Sequence, residues 1–283
     1  MHPKIYALVN EIINCQGTVM LEKARDVSEL QRDYLRLMYY AAANLLETLS
    51  EWPDIRAQTP NKLRDLPISD LRPPITRLVG YSRMLLEHPE VFEGKTLSGK
   101  ARACVEKTYQ IGQQLLNYTI DLATYAGLQS GTLHMHLSPF DAASSAYWLG
   151  EVYRLLGDDP VSLNIDVAER LPLVYGDEFR TYQIFNSLID NAIKFTHRGR
   201  ININLAREQR RLRLRVADTG IGIPPDLNVK IFEPFFQADP QTRGLGLGLH
   251  LAKALAALQD STLEFESVPG QGSTFVFTLR LVE

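Results

Sequence analysis

No stretch of this sequence stays apolar for the roughly 18 residues that a membrane-spanning helix requires. Its opening, Met1-His2-Pro3-Lys4, lacks the charged-then-apolar layout of a secretion signal. Together these absences predict a cytoplasmic chain. A basic surplus is missing too. The net charge of −3 argues against a nucleic-acid partner, because a duplex binder presents a basic face. Cysteine occurs only as Cys15 and Cys104. Neither has metal-ligand spacing and both fall in helical patterns, which predicts buried or half-buried free thiols. His134 and His136 alternate as on one strand face, but with no third ligand nearby they read as solvated rather than metal-bound.

What is present suits a globular chain: 283 residues, 45% hydrophobic and 22% charged, enough for two domains. The first part is helical in pattern. Residues 4–20 place Ile5, Leu8, Ile12 and Ile13 on one side. Val27, Leu30, Tyr34, Leu37, Ala41, Leu45 and Leu49 follow at steps of three or four, a coiled-coil-like seam. Trp52-Pro53 and Thr59-Pro60 interrupt it. Helical spacing resumes with Ile68, Leu71, Ile75, Leu78, Val79, Met84 and Leu85, and Pro73-Pro74 is expected to bend that helix locally. After a loop at His88 to Gly94, residues 97–128 read as a second long helix. Two antiparallel helices with one apolar stripe each do not close a core. The expected closure is a homodimer through the helices of 65–130, forming a dimeric four-helix bundle.

Gly127 to Gly131 ends the helical part. Beyond it the pattern mixes strands (133–137, 161–167, 173–175, 201–205, 212–217, 263–268, 274–281) with helices (141–156, 177–195 and about 245–258). Alternating strands have one wet face, and helices cover the other. The fold class is therefore α+β, an all-α hairpin followed by a two-layer α/β sandwich with a mixed sheet. The domains are read as 1–64, a helical or coiled-coil segment, 65–130, the hairpin, and 131–283, the sandwich.

Chemistry concentrates in two glycine-spaced runs, Asp218-Thr219-Gly220-Ile221-Gly222-Ile223-Pro224 and Gly244-Leu245-Gly246-Leu247-Gly248-Leu249. Glycine lets backbone approach a ligand that side chains would exclude, and amides at a helix start suit phosphate. Asp218 can accept a hydrogen bond from a nucleobase amine. The loop between the runs lies where a lid over a ligand would lie. On the apolar helix 177–195, Ser187, Asn191 and Lys194 form one polar stripe. Asn191 offers an oxygen to Mg²⁺ and Lys194 a charge to phosphate. These features predict a nucleotide pocket.

Ser187 to Thr196 resembles the asparagine box of bacterial sensor histidine kinases. Asp218 to Pro224 resembles their first glycine box, Ile231-Phe232-Glu233-Pro234-Phe235-Phe236-Gln237 their phenylalanine box, Gly244 to Leu249 their second glycine box, and Gly270-Gln271-Gly272-Ser273-Thr274-Phe275 their closing strand. The resemblance covers about residues 65–283. It implies the ATP-binding fold shared with type II topoisomerases, mismatch-repair ATPases and a heat-shock chaperone, with ATP and Mg²⁺ as cofactors. It implies that Asp218 holds the adenine amine with Thr274 nearby through water, that Asn191 binds Mg²⁺ and that Lys194 contacts phosphate. Gly220 and Gly222 would then shape the adenine pocket. Gly244, Gly246 and Gly248 would offer amides to the phosphates, with Arg243 just before them, and Phe235 and Phe236 would anchor the lid. Two features depart from the family: Ser187 stands where Asn or Glu is usual, and Gln241-Thr242-Arg243 leads directly into Gly244 without extra glycines.

The family's phosphoacceptor run of His, acid, Leu, Arg, Thr or Asn, Pro, Leu aligns with Ser69-Asp70-Leu71-Arg72-Pro73-Pro74-Ile75. Ser69 occupies the acceptor position and Pro73 the position that orients water for dephosphorylation. A neutral imidazole is a ready nucleophile near neutral pH, whereas a hydroxyl needs an activating base such as Asp70. The resemblance thus implies a two-component protein, partnered by a response regulator or another histidine kinase, whose acceptor half is degenerate. The alternative is an active kinase that phosphorylates a partner's histidine in trans, or a chain in which Ser69 replaces a natural histidine.

Overall fold

The computed structural model describes residues 3–21, 27–52, 62, 65–97, 99–147 and 161–282. Pro53, Thr59 and Pro60 lie outside these, as does the second half of the helix expected over 141–156. The chain divides into two compact units, Met1–Leu133 and His134–Glu283.

The first unit is helical. It contains α1 (Pro3–Leu21), α2 (Glu29–Ser50), α3 (Ile68–Glu87) and α4 (Gly99–Ser130). Helix α2 starts at a capping box: the Gln31 amide donates to Ser28 Oγ, and the Ser28 amide donates to Gln31 Oε1, so two helix-start donors are satisfied. Helix α3 runs on through Pro73 and Pro74. The two missing amide hydrogens would have reached the Ser69 and Asp70 carbonyls.

Each helix packs on two neighbours: α1 on α2, α2 on α3, α3 on α4, and α4 on α1. The four helices therefore form a ring of contacts within one chain, with α1 and α2 standing against α3 and α4 where the sequence reading placed a second copy. The cause is that α1 and α2 bring their own stripes: Ile5, Val9, Ile12 and Val19 on one, Leu35, Met38, Ala42, Leu45 and Leu49 on the other, all buried. The expected seam of α2 holds at Val27, Ala41, Leu45 and Leu49, which are buried, and departs at two positions. Leu30 and Leu37 are 45% and 44% exposed, while Gln31 is buried and donates from Nε2 to the Lys95 carbonyl at 2.9 Å. Tyr34 packs edge-on against Tyr81 and Phe92.

A correction concerns the thiols. Cys15 and Cys104 are joined by a disulfide, with Cα atoms 5.8 Å apart, inside the range that a disulfide spans. Packing of α1 on α4 brings together residues 89 apart in sequence, a juxtaposition invisible to spacing rules.

The second unit is a mixed sheet with helices on one face. Its strands are β1 (Ser138–Phe140), β2 (Val161–Val167), β3 (Val174–Gly176), β4 (Gly199–Glu208), β5 (Arg211–Asp218), β6 (Leu263–Val268) and β7 (Gly272–Leu281). Their order is β1-β3-β7-β5-β4-β2, with β6 also on β7. The pair β2–β4 is parallel and the others are antiparallel. Helices α5 (Glu178–Phe195) and α6 (Gly248–Ala257) supply Ile184, Phe185, Leu188, Leu251 and Leu255 to a core shared with Ile203, Leu214, Val216 and Phe277. Phe185 meets Phe277 edge-on at 6.4 Å. Alternation leaves the opposite face to polar residues such as Asn202, Asn204, Arg213 and Arg215.

The strand expected over 133–137 begins instead at Ser138. The amide of His136 is used elsewhere, donating to Asp177 Oδ2 at 2.8 Å, so His134 and His136 do not share a strand face. Asp177 also caps α5, its Oδ1 accepting from the Arg180 amide at 3.0 Å. Gln259 Oε1 accepts from the Asp177 amide and the Thr181 hydroxyl. This buried network fixes where α5 starts, and hence where its polar stripe lies.

Candidate nucleotide-binding site

Asp218 ends β5. Its Oδ1 accepts from the Gly220 amide at 2.8 Å and the Ser273 amide at 3.2 Å, and Oδ2 takes no partner among the described residues. Burial raises its pKa above the ordinary carboxylate range, opposed by the two amide hydrogen bonds. The group is thus held by one oxygen and presents the other, as an acceptor for an exocyclic amine must.

The turn after Asp218 is drawn tight against two other segments. The Ile221 amide donates to the Phe195 carbonyl at 3.1 Å, and the Gly270 amide to the Ile221 carbonyl at 2.8 Å. Gly222 adopts φ +66, and a Cβ there would stand 2.2 Å from the Val268 carbonyl oxygen. Only glycine fits both constraints. Ser267 Oγ accepts from the Ile223 amide at 2.7 Å, contacts Ser273 Oγ at 3.0 Å and donates to the Gly272 carbonyl.

The family pattern puts Thr274 beside the adenine site. In the structure Thr274 pairs with Ala217, and its hydroxyl accepts from Arg215 Nη2 at 3.2 Å, on the sheet's polar face. The hydroxyl-bearing residue next to Asp218 is Ser273. Strand register was the signal that could have separated the two, since the side chains of adjacent residues point to opposite faces.

The polar stripe of α5 meets the second glycine run. Lys194 Nζ pairs with Asp190 Oδ2 and lies 3.1 Å from where a Cβ on Gly244 would sit. Ser187 Oγ is buried with no hydrogen-bond partner among the described residues, and lies 2.6 Å from a Cβ built on Gly248. Gly248 is the first residue of α6, whose start has no side-chain cap. Leu245 and Leu247 are buried and hold Gly246 between them, with Gly244 and Gly248 on either side, at the helix start. Uncapped amides, a lysine one side chain away and an unpartnered buried hydroxyl form a cradle suited to an anion. Asn191 is half-buried on the same stripe. No cluster of three or more metal-ligating His, Cys, Asp or Glu occurs among the described residues, so a Mg²⁺ ion here would draw on phosphate oxygens and water beside Asn191. The residues present therefore fit a nucleotide.

The lid is held at both ends. His250 Nδ1 lies 3.0 Å from the Phe232 carbonyl, Lys253 Nζ sits 4.5 Å over the Phe232 ring, and Phe232 packs on Phe265, which stacks on Phe275. Gln237 Nε2 donates to the Thr242 and Gly244 carbonyls, each at 3.1 Å. Phe232 thus adds an aromatic contact ahead of the expected Phe235 and Phe236, which are half-buried like it and whose backbone lies against Gly246. Arg243 is exposed.

In the helical unit, Ser69 and Asp70 are exposed in the first turn of α3. Ser69 Oγ donates to Asp70 Oδ1 at 3.2 Å. Pro73 is exposed and Pro74 buried.

Comparison with known proteins agrees with this geometry. The "Hybrid signal transduction histidine kinase A" of Dictyostelium discoideum is 33% identical over 223 residues, covering 73% of this chain and 10% of that protein. The "Circadian input-output histidine kinase CikA" of Synechococcus elongatus is 32% identical, covering 73% and 28%. The "Signal transduction histidine-protein kinase BarA" of Escherichia coli is 30% identical, covering 75% and 24%. The chain thus spans between a tenth and about a quarter of these relatives. Among solved structures, full-length ShkA in complex with AMPPNP superposes with a TM-score of 0.60 at 28% identity, over 80% of this chain and 47% of that one. The Acinetobacter baumannii histidine kinase AdeS, at a TM-score of 0.53 and 22% identity over 76% and 98%, shares the fold. Residues 176–283, which contain Asp218, the α5 stripe and both glycine runs, match the family described as histidine kinase-, DNA gyrase B-, and HSP90-like ATPase.

Proposed function

We propose that this chain is a cytoplasmic two-component signalling protein of the histidine kinase family that binds ATP with Mg²⁺ around Asp218 and does not phosphorylate itself. In this reading Asp218 takes the adenine amine, Lys194 and the amides of Gly244, Gly246 and Gly248 take the phosphates, and Asn191 faces the Mg²⁺. The observation behind the missing self-phosphorylation is Ser69. Its hydroxyl bonds to the adjacent carboxylate at the exposed start of α3, where the family's acceptor imidazole belongs. A phosphoserine ester is a poor donor to a response-regulator aspartate, so the relay would stop there. The chain would instead act on a partner kinase or response regulator, with the hairpin of 65–130 as its pairing element. Labelled ATP tests the reading: the chain alone stays unlabelled, and an acid-labile, base-stable phosphate on it would overturn the proposal.

A second reading is favoured by the phosphate cradle, where Lys194 lies beside Gly244 and α6 starts uncapped. Here the pocket serves catalysis, transferring phosphate to a histidine on another chain. Mixing with a partner kinase whose own nucleotide site is disabled separates the two. Label on the partner supports transfer in trans, and its absence supports the non-catalytic reading.

A further inference from the structure

We infer that α1 and α2 are a removable cover over a face of α3 and α4 that otherwise takes a second copy of this chain, and that the Cys15–Cys104 bond latches the cover shut. The inference rests on α3–α4 being the pairing hairpin.

The shapes match. Helices α3 and α4 each bury one stripe: Leu71, Ile75, Leu78 and Leu85 on α3, and Val105, Ile111, Leu115 and Leu122 on α4. A two-helix layer needs another two-helix layer against it. Helices α1 and α2, of 19 and 22 residues against 20 in α3, provide one in cis. A second α3–α4 hairpin, bearing the same stripe, provides one in trans. The two arrangements use the same surface and exclude each other.

The weak seam is α1 on α4. Gln16 is wholly buried there. Its Nε2 donates to Thr108 Oγ1 at 3.0 Å, but its Oε1 has no partner among the described residues, a cost that solvent would relieve on opening. At the rim, Lys107 pairs with Glu11 while both stay about half exposed, and such a pair contributes little. The seam of α2 on its neighbours is apolar, with Leu35, Met38, Leu45 and Leu49 buried. The latch sits at the polar seam: Cys15 adjoins Gln16, and Cys104 is one turn from Thr108, whose hydroxyl donates to the Cys104 carbonyl. A covalent bond therefore spans the place where the cover is held least.

Closing the latch removes two protons and two electrons from the thiols. A low-molecular-weight disulfide such as oxidised glutathione accepts them in two exchanges. The thiolate of half-buried Cys15 attacks it and releases one glutathione thiol. The thiolate of Cys104 then attacks the mixed disulfide and releases the second.

The full chain, with its two cysteines, reports cis against trans directly. Oxidised with glutathione disulfide, it should show no titratable thiol and run on a non-reducing gel at its 32.0 kDa monomer mass. Light scattering on the reduced chain should show dimer rising with concentration. Lys107→Glu, which opposes Glu11, should tighten that dimer about two- to fivefold. Val9→Glu, which puts a charge in the covered core, should tighten it by more than about a hundredfold. Oxidation should return Lys107→Glu to monomer. A covalent dimer on oxidising the wild type would show α1 packed on a neighbour's α4 and overturn the cover, leaving the pairing hairpin standing. Reduced variants that stay monomeric at every concentration, while still binding an ATP analogue, would overturn the pairing hairpin itself. Should Val9→Glu lose analogue binding too, Lys107→Glu decides.

Discussion

The Gly220 amide donates to Asp218 Oδ1 at 2.8 Å, and this bond decides which carboxylate oxygen faces the pocket. With the Ser273 amide on the same atom, Oδ1 is committed and Oδ2 is presented. Asp218→Asn should keep both amide bonds through its carbonyl oxygen, and so place an NH₂ group where the adenine amine arrives. Two donors then face each other. Affinity for a non-hydrolysable ATP analogue with Mg²⁺ should fall at least about tenfold, measured by calorimetry. The melting temperature at neutral pH should hold or rise, because the half-buried charge is gone.

Acid should weaken nucleotide binding through the same carboxyl. Burial raises the Asp218 pKa, with the two amide bonds opposing. A raised carboxylate pKa means that the folded chain takes up this proton at higher pH than the unfolded chain. The charged form therefore costs stability above the folded pKa, and that cost disappears as pH falls through it. Binding runs the other way, since the protonated carboxyl loses an acceptor. Across about pH 4 to 7, analogue affinity should drop on the acid side with a midpoint above the ordinary aspartate value. The stability difference between wild type and Asp218→Asn should shrink over the same window. A flat affinity profile would remove Asp218 from the adenine contact.

Ser187→Ala deletes a buried hydroxyl that has no partner among the described residues. Without nucleotide the variant should be as stable as wild type or up to about 1 kcal/mol more stable, because an unpaired polar group no longer has to be buried. If the hydroxyl serves the anion at the start of α6, the gain disappears once the analogue is bound. Melting curves with and without analogue give both numbers, and an equal shift in the two states would exclude a role at the phosphates.

Gly246→Ala should disable the phosphate cradle. Gly246 has φ +75, and a Cβ there would lie 2.5 Å from the Phe236 carbonyl oxygen. A left-handed backbone with a steric clash costs on the order of 1–3 kcal/mol, and the run between Leu245 and Leu247 must shift to relieve it. Analogue affinity should fall severalfold or more while an adenosine probe, which lacks phosphate, binds as before. Equal loss for both probes would show collapse of the whole pocket instead.

The candidate nucleotide site was legible in the sequence to the extent that its determinants are local. Glycines at Gly220, Gly222, Gly244, Gly246 and Gly248 mark backbone approach, and Ser187, Asn191 and Lys194 share a face by helical period alone. Thr274 shows where local reading stops. Register moves Ser273 beside Asp218, and register depends on pairing with β5. The bundle was legible as four helices but not as a closure. Helical steps do not distinguish a stripe at Leu30 and Leu37 from one at Gln31, Leu35 and Met38, because the buried glutamine is explained only by the Lys95 carbonyl that it meets. The Cys15–Cys104 pair was illegible for the same reason: it exists only once α1 lies on α4.

Closure of the bundle in cis also frees its folding from mass action. A bundle shared by two chains loses stability as the protein is diluted. Here α1 and α2 are tethered to the surface they cover, at an effective concentration on the order of millimolar. A chain kept at a few copies per cell would hold its helical unit folded regardless of how rarely it meets another copy.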